Sequence, residues 1–209
     1  MSVAAGRADM VCRRSSITTS RRCRRTYLGH DRFVAIATRQ GAIIDVKPID
    51  LGRVFSVSGG LPLKQRAPQR QTYRLAELER WSAYLGMALN KQRRFFPVSG
   101  DLASKWILAA AKRRMDDAVT LTGAILRAVW CEQRDIADAS TLAALARERA
   151  LDAQALAASA NAPEVGARYE ALTQQAIDRQ VFGAPTYVYR DELFWGQDRL
   201  DFLDRELAK

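Results

Sequence analysis

Val181-Phe182-Gly183-Ala184-Pro185-Thr186-Tyr187 says more about the fold of this chain than any other stretch of its sequence. A proline that follows a small residue and opens a strand suits a cis peptide bond, which is rare outside X-Pro. Such a bond would turn the backbone N–H and C=O of Ala184 outward, as a docking edge for an extended, peptide-like ligand. Pro185 is equally compatible with an ordinary proline at the first position of a strand, so both interpretations stay open.

A second motif follows within a few residues. Thr186–Tyr189 and Leu193–Trp195 are predicted to be two strands joined by a tight turn, and Gly196 ends the second strand. Gln197 and Asp198 then precede a final helix. Backbone N–H groups at a helix start favour an anion, whereas the side chains of Gln197 and Asp198 could receive an ammonium group. The alternative is that Asp198 only caps the helix.

Toward the N-terminus, an orderly pattern begins at Tyr27. Apolar residues at helical spacing predict a helix that ends at Gly41, and residues 42–46 are a β-branched run typical of a buried strand. Residues 73–180 have helical periodicity almost throughout. The order of helix, strand, helical block, hairpin and helix predicts an α/β protein with a thioredoxin-like fold and a large all-helical insertion. Its first strand is predicted to be missing or disrupted in this sequence.

This order divides the chain into three parts. Residues 1–26 are predicted to be a disordered or aberrant segment, 27–72 with 181–209 a thioredoxin-like domain, and 73–180 the helical insertion. The first part is rich in Arg, Ser and Thr, and residues 1–25 hold seven Arg against the single acid Asp9. That segment carries +6 of the net charge of +10, which leaves +4 for the rest of the chain. A disordered tail and an organelle transit peptide both fit this composition.

Several classes of function are excluded by composition. No apolar run approaches the length of about 20 residues that a membrane-spanning helix needs. The basic segment lacks aromatic residues for stacking, so we expect no nucleic-acid binding. The three cysteines, Cys12, Cys23 and Cys131, form no Cys-x-x-Cys motif, and we expect no metal site. His30 is the single histidine, and its position near a helix start predicts a solvated surface side chain.

A series of short motifs, in a constant order along residues 27–209, carries a family resemblance. They are Tyr27-Leu28-Gly29-His30-Asp31-Arg32-Phe33, Pro48-Ile49-Asp50-Leu51-Gly52-Arg53-Val54-Phe55, Phe96-Pro97-Val98, Ala128-Val129-Trp130, Phe182-Gly183-Ala184-Pro185 and Phe194-Trp195-Gly196-Gln197-Asp198-Arg199. With these motifs the chain resembles the bacterial 2-hydroxychromene-2-carboxylate isomerases, which belong with the kappa-class glutathione transferases. That family has a DsbA-like thioredoxin fold with a helical insertion.

The resemblance implies a glutathione-dependent isomerase of aromatic-compound degradation. Ala184 and Pro185 would hold the cysteinyl backbone of glutathione, and Gln197 and Asp198 its γ-glutamyl end. In the family, a serine at the start of the first helix stabilises the thiolate, since a hydroxyl donor and the helix dipole lower a thiol pKa. Cys23 occupies that serine position here, and we assign it, by position, as the candidate catalytic residue.

Cys23 departs from the family motif Ser-Pro-Tyr, and the residues before it replace a hydrophobic strand. With allowed codons for Cys23, Arg24, Arg25 and Thr26, a shifted reading frame gives Ser-Pro-Tyr. The same shift upstream gives a largely hydrophobic strand. Our hypothesis is that residues up to about 26 are a frameshifted translation of the gene.

Two other functions stay open. A DsbA-like thiol–disulfide oxidoreductase needs a resolving cysteine, which Cys23-Arg24-Arg25-Thr26 does not provide, although a monothiol role for Cys23 survives. An inactive family remnant is the third interpretation. The expected partners are a small-molecule substrate and glutathione, and relatives of the family suggest a homodimer. We expect a bacterial cytoplasmic protein, or a mitochondrial one if the source is eukaryotic.

Overall fold

The computed structural model describes residues 14–19, 24–90, 94–95 and 97–209. Its centre is a four-stranded sheet with the order β2-β1-β3-β4. The strands are β1 Arg14–Thr19, β2 Ile43–Pro48, β3 Thr186–Tyr189 and β4 Glu192–Trp195. Strand β1 pairs in parallel with β2 and antiparallel with β3, and β3 pairs antiparallel with β4. This sheet confirms the predicted hairpin and the α/β class.

The prediction of a missing or disrupted first strand is wrong. Residues Arg14–Thr19 form β1, the strand between β2 and β3, in the register Ile17 to Val46 and Ile17 to Tyr187. Hydrogen bonds of a strand ladder join backbone groups, so a polar sequence can form one. Residues 17–19 are also β-branched, which favours extended backbone. The sheet therefore begins within residues 1–26, which were predicted to be a disordered or aberrant segment.

Helix α1, Arg24–Arg39, packs its apolar face on the sheet. Phe33 is buried there, with its ring centroid 4.8 Å from that of Tyr187 on β3. Helix α2, Leu51–Ser58, is capped by Asp50, whose carboxylate accepts from the Gly52 N–H at 2.8 Å. The last helix, α9, spans Leu200–Leu207 and buries three leucines toward α1 and β3. These elements place the start of α1 beside the β3–β4 hairpin.

The helical block consists of α3 Pro68–Leu85, α4 Asp101–Arg113, α5 Met115–Trp130, α6 Ala139–Arg147, α7 Ala153–Ala160 and α8 Pro163–Asp178. Its core includes the fully buried Trp106 and Trp130. The boundary predicted between residues 72 and 73 falls inside α3, which begins at Pro68. Proline is favoured at the first helical position because its missing N–H has no partner there anyway, so Pro68 opens this helix.

Candidate functional site

The Ala184–Pro185 peptide bond is cis, which agrees with the first of the two interpretations of the sequence. Both residues are buried, and β3 begins at the next residue, Thr186. The Thr186 hydroxyl donates to the carbonyl oxygen of Gly183 at 2.8 Å, which closes the loop before the strand. The backbone at this point is therefore fixed from both sides of the proline.

The end of β4 lies directly beside this proline. Thr186 is paired with Trp195, and the Gly196 N–H donates to the Pro185 carbonyl at 2.9 Å. Gly196 has φ +99°, a conformation that side-chain-bearing residues rarely adopt. The chain can turn sharply at this glycine, and it leads at once into Gln197 and Asp198. The structure thus brings together the four predicted ligand-binding residues, Ala184, Pro185, Gln197 and Asp198.

Gln197 is held by a residue that the sequence did not single out. Arg32 of α1 donates to the Gln197 side-chain oxygen at 2.8 Å and to its backbone oxygen at 3.3 Å. Gln197 is 1% exposed, so its amide is part of the packing between α1 and the hairpin. A Cβ placed on Gly29 would lie 2.7 Å from the Gln197 Cβ and 2.6 Å from the Tyr187 hydroxyl. Only glycine at position 29 allows this close approach.

Asp198 is the exposed member of the pair. Its carboxylate accepts from Arg199 at 3.0 Å, and it forms no cap of the last helix. Helix α9 has Arg199 at its N-cap position, without a side-chain cap hydrogen bond. The simple capping interpretation of Asp198 therefore fails, and its carboxylate remains available on the surface beside Gln197.

The start of α1 makes the opposite side of the site basic. Its first turn holds no acidic residue, and the Arg25 guanidinium lies 5.8 Å from the Trp195 ring centroid. Trp195 in turn packs on Phe182 at 4.8 Å between ring centroids. Backbone N–H groups at a helix start carry partial positive charge, and Arg25 adds a full one. Cys23, the candidate catalytic residue, lies outside the described residues.

Comparison with known proteins assigns this arrangement to a family. A family model described as a DSBA-like thioredoxin domain matches residues 20–208. The chain belongs to the DSBA-like thioredoxin family. It is 33% identical over 184 residues to a 2-hydroxychromene-2-carboxylate isomerase of Sphingobium xenophagum, which covers 87% of this chain and 91% of that protein. This relationship confirms the resemblance found in the sequence.

Two solved structures share the fold of this DSBA-like protein. A 2-hydroxychromene-2-carboxylate isomerase superposes with a TM-score of 0.78 at 25% identity, over 93% of this chain and 94% of that one. The cytosolic disulfide reductase DsbM from Pseudomonas aeruginosa, solved with GSH, has a TM-score of 0.66 at 19% identity, over 94% of this chain and 100% of that one. The second likeness concerns the fold alone.

In this DSBA-like chain, Tyr27 links α1 to the helical block, a contact that sequence reasoning missed. Its hydroxyl donates to the Ala88 carbonyl at 3.1 Å, and the Cys131 thiol donates to the Tyr27 oxygen at 2.8 Å. Burial, followed by the Cys131 hydrogen bond, raises the pKa of Tyr27 above its ordinary value. Asn90 fixes the same loop by donating to the Cys131 carbonyl at 2.6 Å. Tyr27 is therefore a neutral structural contact.

His30 is buried, which contradicts the expected surface position. It faces α5, where a Cβ on Gly123 would lie 2.8 Å from its Nε2 atom. The missing side chain of Gly123 leaves space for the ring. Its Nδ1 atom has no hydrogen-bond partner among the described residues. Burial lowers the pKa of His30, because the charged imidazolium loses its hydration there.

The described residues hold neither a cluster of metal ligands nor a membrane-spanning helix. None of their His, Cys, Asp and Glu side chains form a group of three or more that could hold a metal ion. Within the same ranges, no helix is long and apolar enough to cross a membrane.

Proposed function

We propose that the protein is a glutathione-dependent isomerase of the 2-hydroxychromene-2-carboxylate isomerase type. The observation that carries this proposal is the assembly of cis-Pro185, Gln197 and Asp198 beside the basic start of α1. The similarity to the isomerases extends over most of the chain and supports the substrate class. The substrate would be an aromatic acid with a double bond open to attack by a thiolate.

The residues present fit glutathione. The backbone at Ala184 and Pro185 would bind its cysteinyl part, as an extended peptide binds beside a strand. The exposed carboxylate of Asp198 would accept from the γ-glutamyl ammonium. Arg32 holds Gln197 in place, so that its backbone keeps the shape of this subsite. When bound, glutathione supplies a thiolate nucleophile that adds reversibly to a double bond of the substrate.

The start of α1 would stabilise negative charge. Arg25 and the α1 backbone N–H groups favour an anion, and this effect lowers the pKa of a nearby thiol. In this proposal they take over part of the role of the family serine.

A bacterial cytoplasm is the compartment that suits the activity, because its glutathione pool is kept reduced. We also propose that the protein is a homodimer.

A thiol–disulfide oxidoreductase is the second candidate. One observation favours it: Cys23 directly precedes the basic first turn of α1, where a thiolate is stabilised. The Cys23→Ser variant separates the two functions. An isomerase that uses the thiol of glutathione should keep its activity, or gain activity, when a serine stands at this position. A monothiol oxidoreductase should lose its disulfide-reducing activity completely.

The glutathione subsite is tested by Asp198→Asn in the isomerase assay. Removing the charge that would face the ammonium group should raise KM for glutathione about tenfold, with kcat nearly unchanged. Glu192→Gln is the matched control, since it removes one exposed carboxylate on β4. Equal KM values for the two variants would reject the assignment of Asp198. Conversion at the same rate without glutathione would reject the proposed function.

A further inference from the structure

A groove between strand β4 and helix α9 plays no part in the proposed function. Its volume of about 450 Å³ is in the range of small-molecule sites. None of the four residues of the proposed glutathione subsite lines it, so the two places are separate. We call it the β4–α9 groove, and its walls include Glu192, Leu193 and Trp195 of β4 and Phe202 and Arg205 of α9.

Two exposed aromatic side chains line the β4–α9 groove. Phe202 is 53% exposed and Trp195 is 41% exposed, so each ring is open to a ligand. Phe202 lies on the side of α9 away from the three buried leucines of this helix, and Arg205 follows it on the same side. Small-molecule sites are lined mainly by apolar and aromatic side chains, with a few polar groups that orient the ligand.

The charged side chains of the groove leave one cation and one anion without a partner. Arg199 donates to the carboxylate of the preceding residue, and Glu206 accepts from the C-terminal lysine. Arg205 and Glu192 remain, and the side chain of neither forms an ion pair or a hydrogen bond with another described residue. A ligand that carries both a carboxylate and an ammonium group satisfies both charges.

The backbone of β4 offers further hydrogen-bonding groups, because β4 is the outer strand of the sheet. The Gly196 N–H donates to the Pro185 carbonyl, so these two residues are a hydrogen-bonded pair. Hydrogen-bonded and non-hydrogen-bonded pairs alternate along an antiparallel ladder, which makes Leu193 and Trp195 members of non-hydrogen-bonded pairs. Their N–H and carbonyl groups therefore point away from β3, toward the open edge.

We propose that the β4–α9 groove binds a free α-amino acid with an aromatic side chain. The ligand carboxylate accepts from the Leu193 N–H and from Arg205, and the ligand ammonium group donates to the Leu193 carbonyl and to Glu192. One residue of an added strand pairs with an edge strand in the same way. The aromatic ring of the ligand lies against Phe202 and Trp195. Both unpaired charges of the groove then have a partner.

The length of the open edge favours a single amino acid over a peptide. Strand β4 has four residues, whereas strands in proteins commonly have about five to six. An added peptide strand would extend beyond the part of the edge that the groove covers. A free amino acid needs only one residue of β4, and its ring occupies the remaining space.

Calorimetric titration of the full chain with L-tryptophan tests the proposal without turnover, so its result does not depend on the proposed isomerase activity. Indole-3-propionate lacks the ammonium group and tryptamine lacks the carboxylate, and we expect each to bind about tenfold more weakly than L-tryptophan. L-alanine, which has no ring, should give no detectable binding. Saturating glutathione should leave the Kd of L-tryptophan unchanged, because the two sites share no residue.

Two variants assign the ligand charges to residues. Arg205→Met should raise the Kd of L-tryptophan about tenfold and leave that of tryptamine unchanged. Glu192→Gln should also raise the Kd of L-tryptophan, but leave that of indole-3-propionate unchanged. Arg168→Met is the control, since it removes an exposed arginine of α8 outside the groove, and it should bind L-tryptophan like the wild type. Circular dichroism of each variant checks that the fold is kept.

Four results would each overturn the proposal. They are an absence of L-tryptophan binding at about 1 mM, equal Kd values for Arg205→Met and Arg168→Met, L-alanine binding as tight as that of L-tryptophan, and displacement of L-tryptophan by glutathione.

Discussion

The β3–β4 hairpin and helix α1 meet at the candidate site, but different kinds of contact hold them there. In the hairpin, contacts between backbone groups hold the chain in place, as in the pairing of Thr186 with Trp195 and the hydrogen bond from the Gly196 N–H to the Pro185 carbonyl. Helix α1 is held by individual side chains, chiefly by the hydrogen bond from Arg32 to Gln197 and the ring contact of Phe33 with Tyr187. The hairpin should therefore tolerate side-chain changes that α1 does not.

Gly29 offers the strongest test of this difference. Gly29→Ala places a Cβ against Gln197 and Tyr187, where no space is available. Forcing extra atoms into a packed contact costs about 1–3 kcal/mol of the free energy of unfolding. Gly166→Ala on α8 is the matched control, because a Cβ there meets nothing within 4 Å. Gly166 lies in the first turn of α8, where the higher helix propensity of alanine should stabilise that variant by up to about 1 kcal/mol.

Urea denaturation of the two alanine variants measures these effects. If Gly29→Ala is as stable as Gly166→Ala, α1 and the hairpin do not approach each other as closely as the structure shows.

Arg32 tests whether a side chain of α1 positions the hairpin subsite. Arg32→Met leaves the buried side-chain oxygen of Gln197 without its donor. The free energy of unfolding should fall by an amount toward the lower end of about 1–3 kcal/mol, because the Arg32 side chain is partly exposed to water. We also expect KM for glutathione to rise, while kcat changes less. Arg39→Met is the control on the same helix: it also removes an exposed ion pair, with Asp204, but leaves no buried acceptor without its donor.

That control should lose less than about 1 kcal/mol and keep its KM for glutathione. An unchanged KM in Arg32→Met would mean that Gln197 keeps its place without Arg32.

His30 gives the smallest of the three effects and probes the contact of α1 with α5. Because burial lowers the pKa of His30 in the folded chain, the unfolded chain binds a proton first as the pH falls below 6.5. The free energy of unfolding should then decrease with falling pH, with a slope of at most about 1.4 kcal/mol per pH unit for one proton. This contribution is fully present above the unfolded pKa.

Denaturation at pH 7.5 and 5.5 measures this slope, and His30→Asn should reduce it. His30 is the single histidine of the chain, so its imidazole NMR signals can be followed in the same pH range. An NMR pKa at or above 6.5 in the folded protein would contradict its burial.

The two regions also differ in how well the sequence predicts them. Glycine and proline punctuate the hairpin, and these residues act on their own backbone, so Pro185, Gly196 and the strands between them were predictable. The contacts of Arg32 with Gln197 and of His30 with Gly123 join residues far apart in sequence. No local pattern indicates which distant residue a side chain will meet. The close approach at Gly29 was missed for the same reason.

Strand β1 shows a different limit of prediction. A strand search relies on apolar alternation, and residues 14–19 have little of it. Their place in the sheet follows from the backbone ladders with β2 and β3 on either side, which only the complete topology provides. The same local patterns that predicted the β3–β4 hairpin therefore did not predict the strand at residues 14–19.

The most direct test of the account is the rate of isomerisation of 2-hydroxychromene-2-carboxylate by the purified wild-type chain as glutathione is titrated in. We expect conversion that depends on glutathione and saturates with it, and that disappears when glutathione is replaced by its S-methyl derivative. Conversion that is independent of glutathione, or no conversion at saturating glutathione by both the wild-type chain and Cys23→Ser, would contradict it.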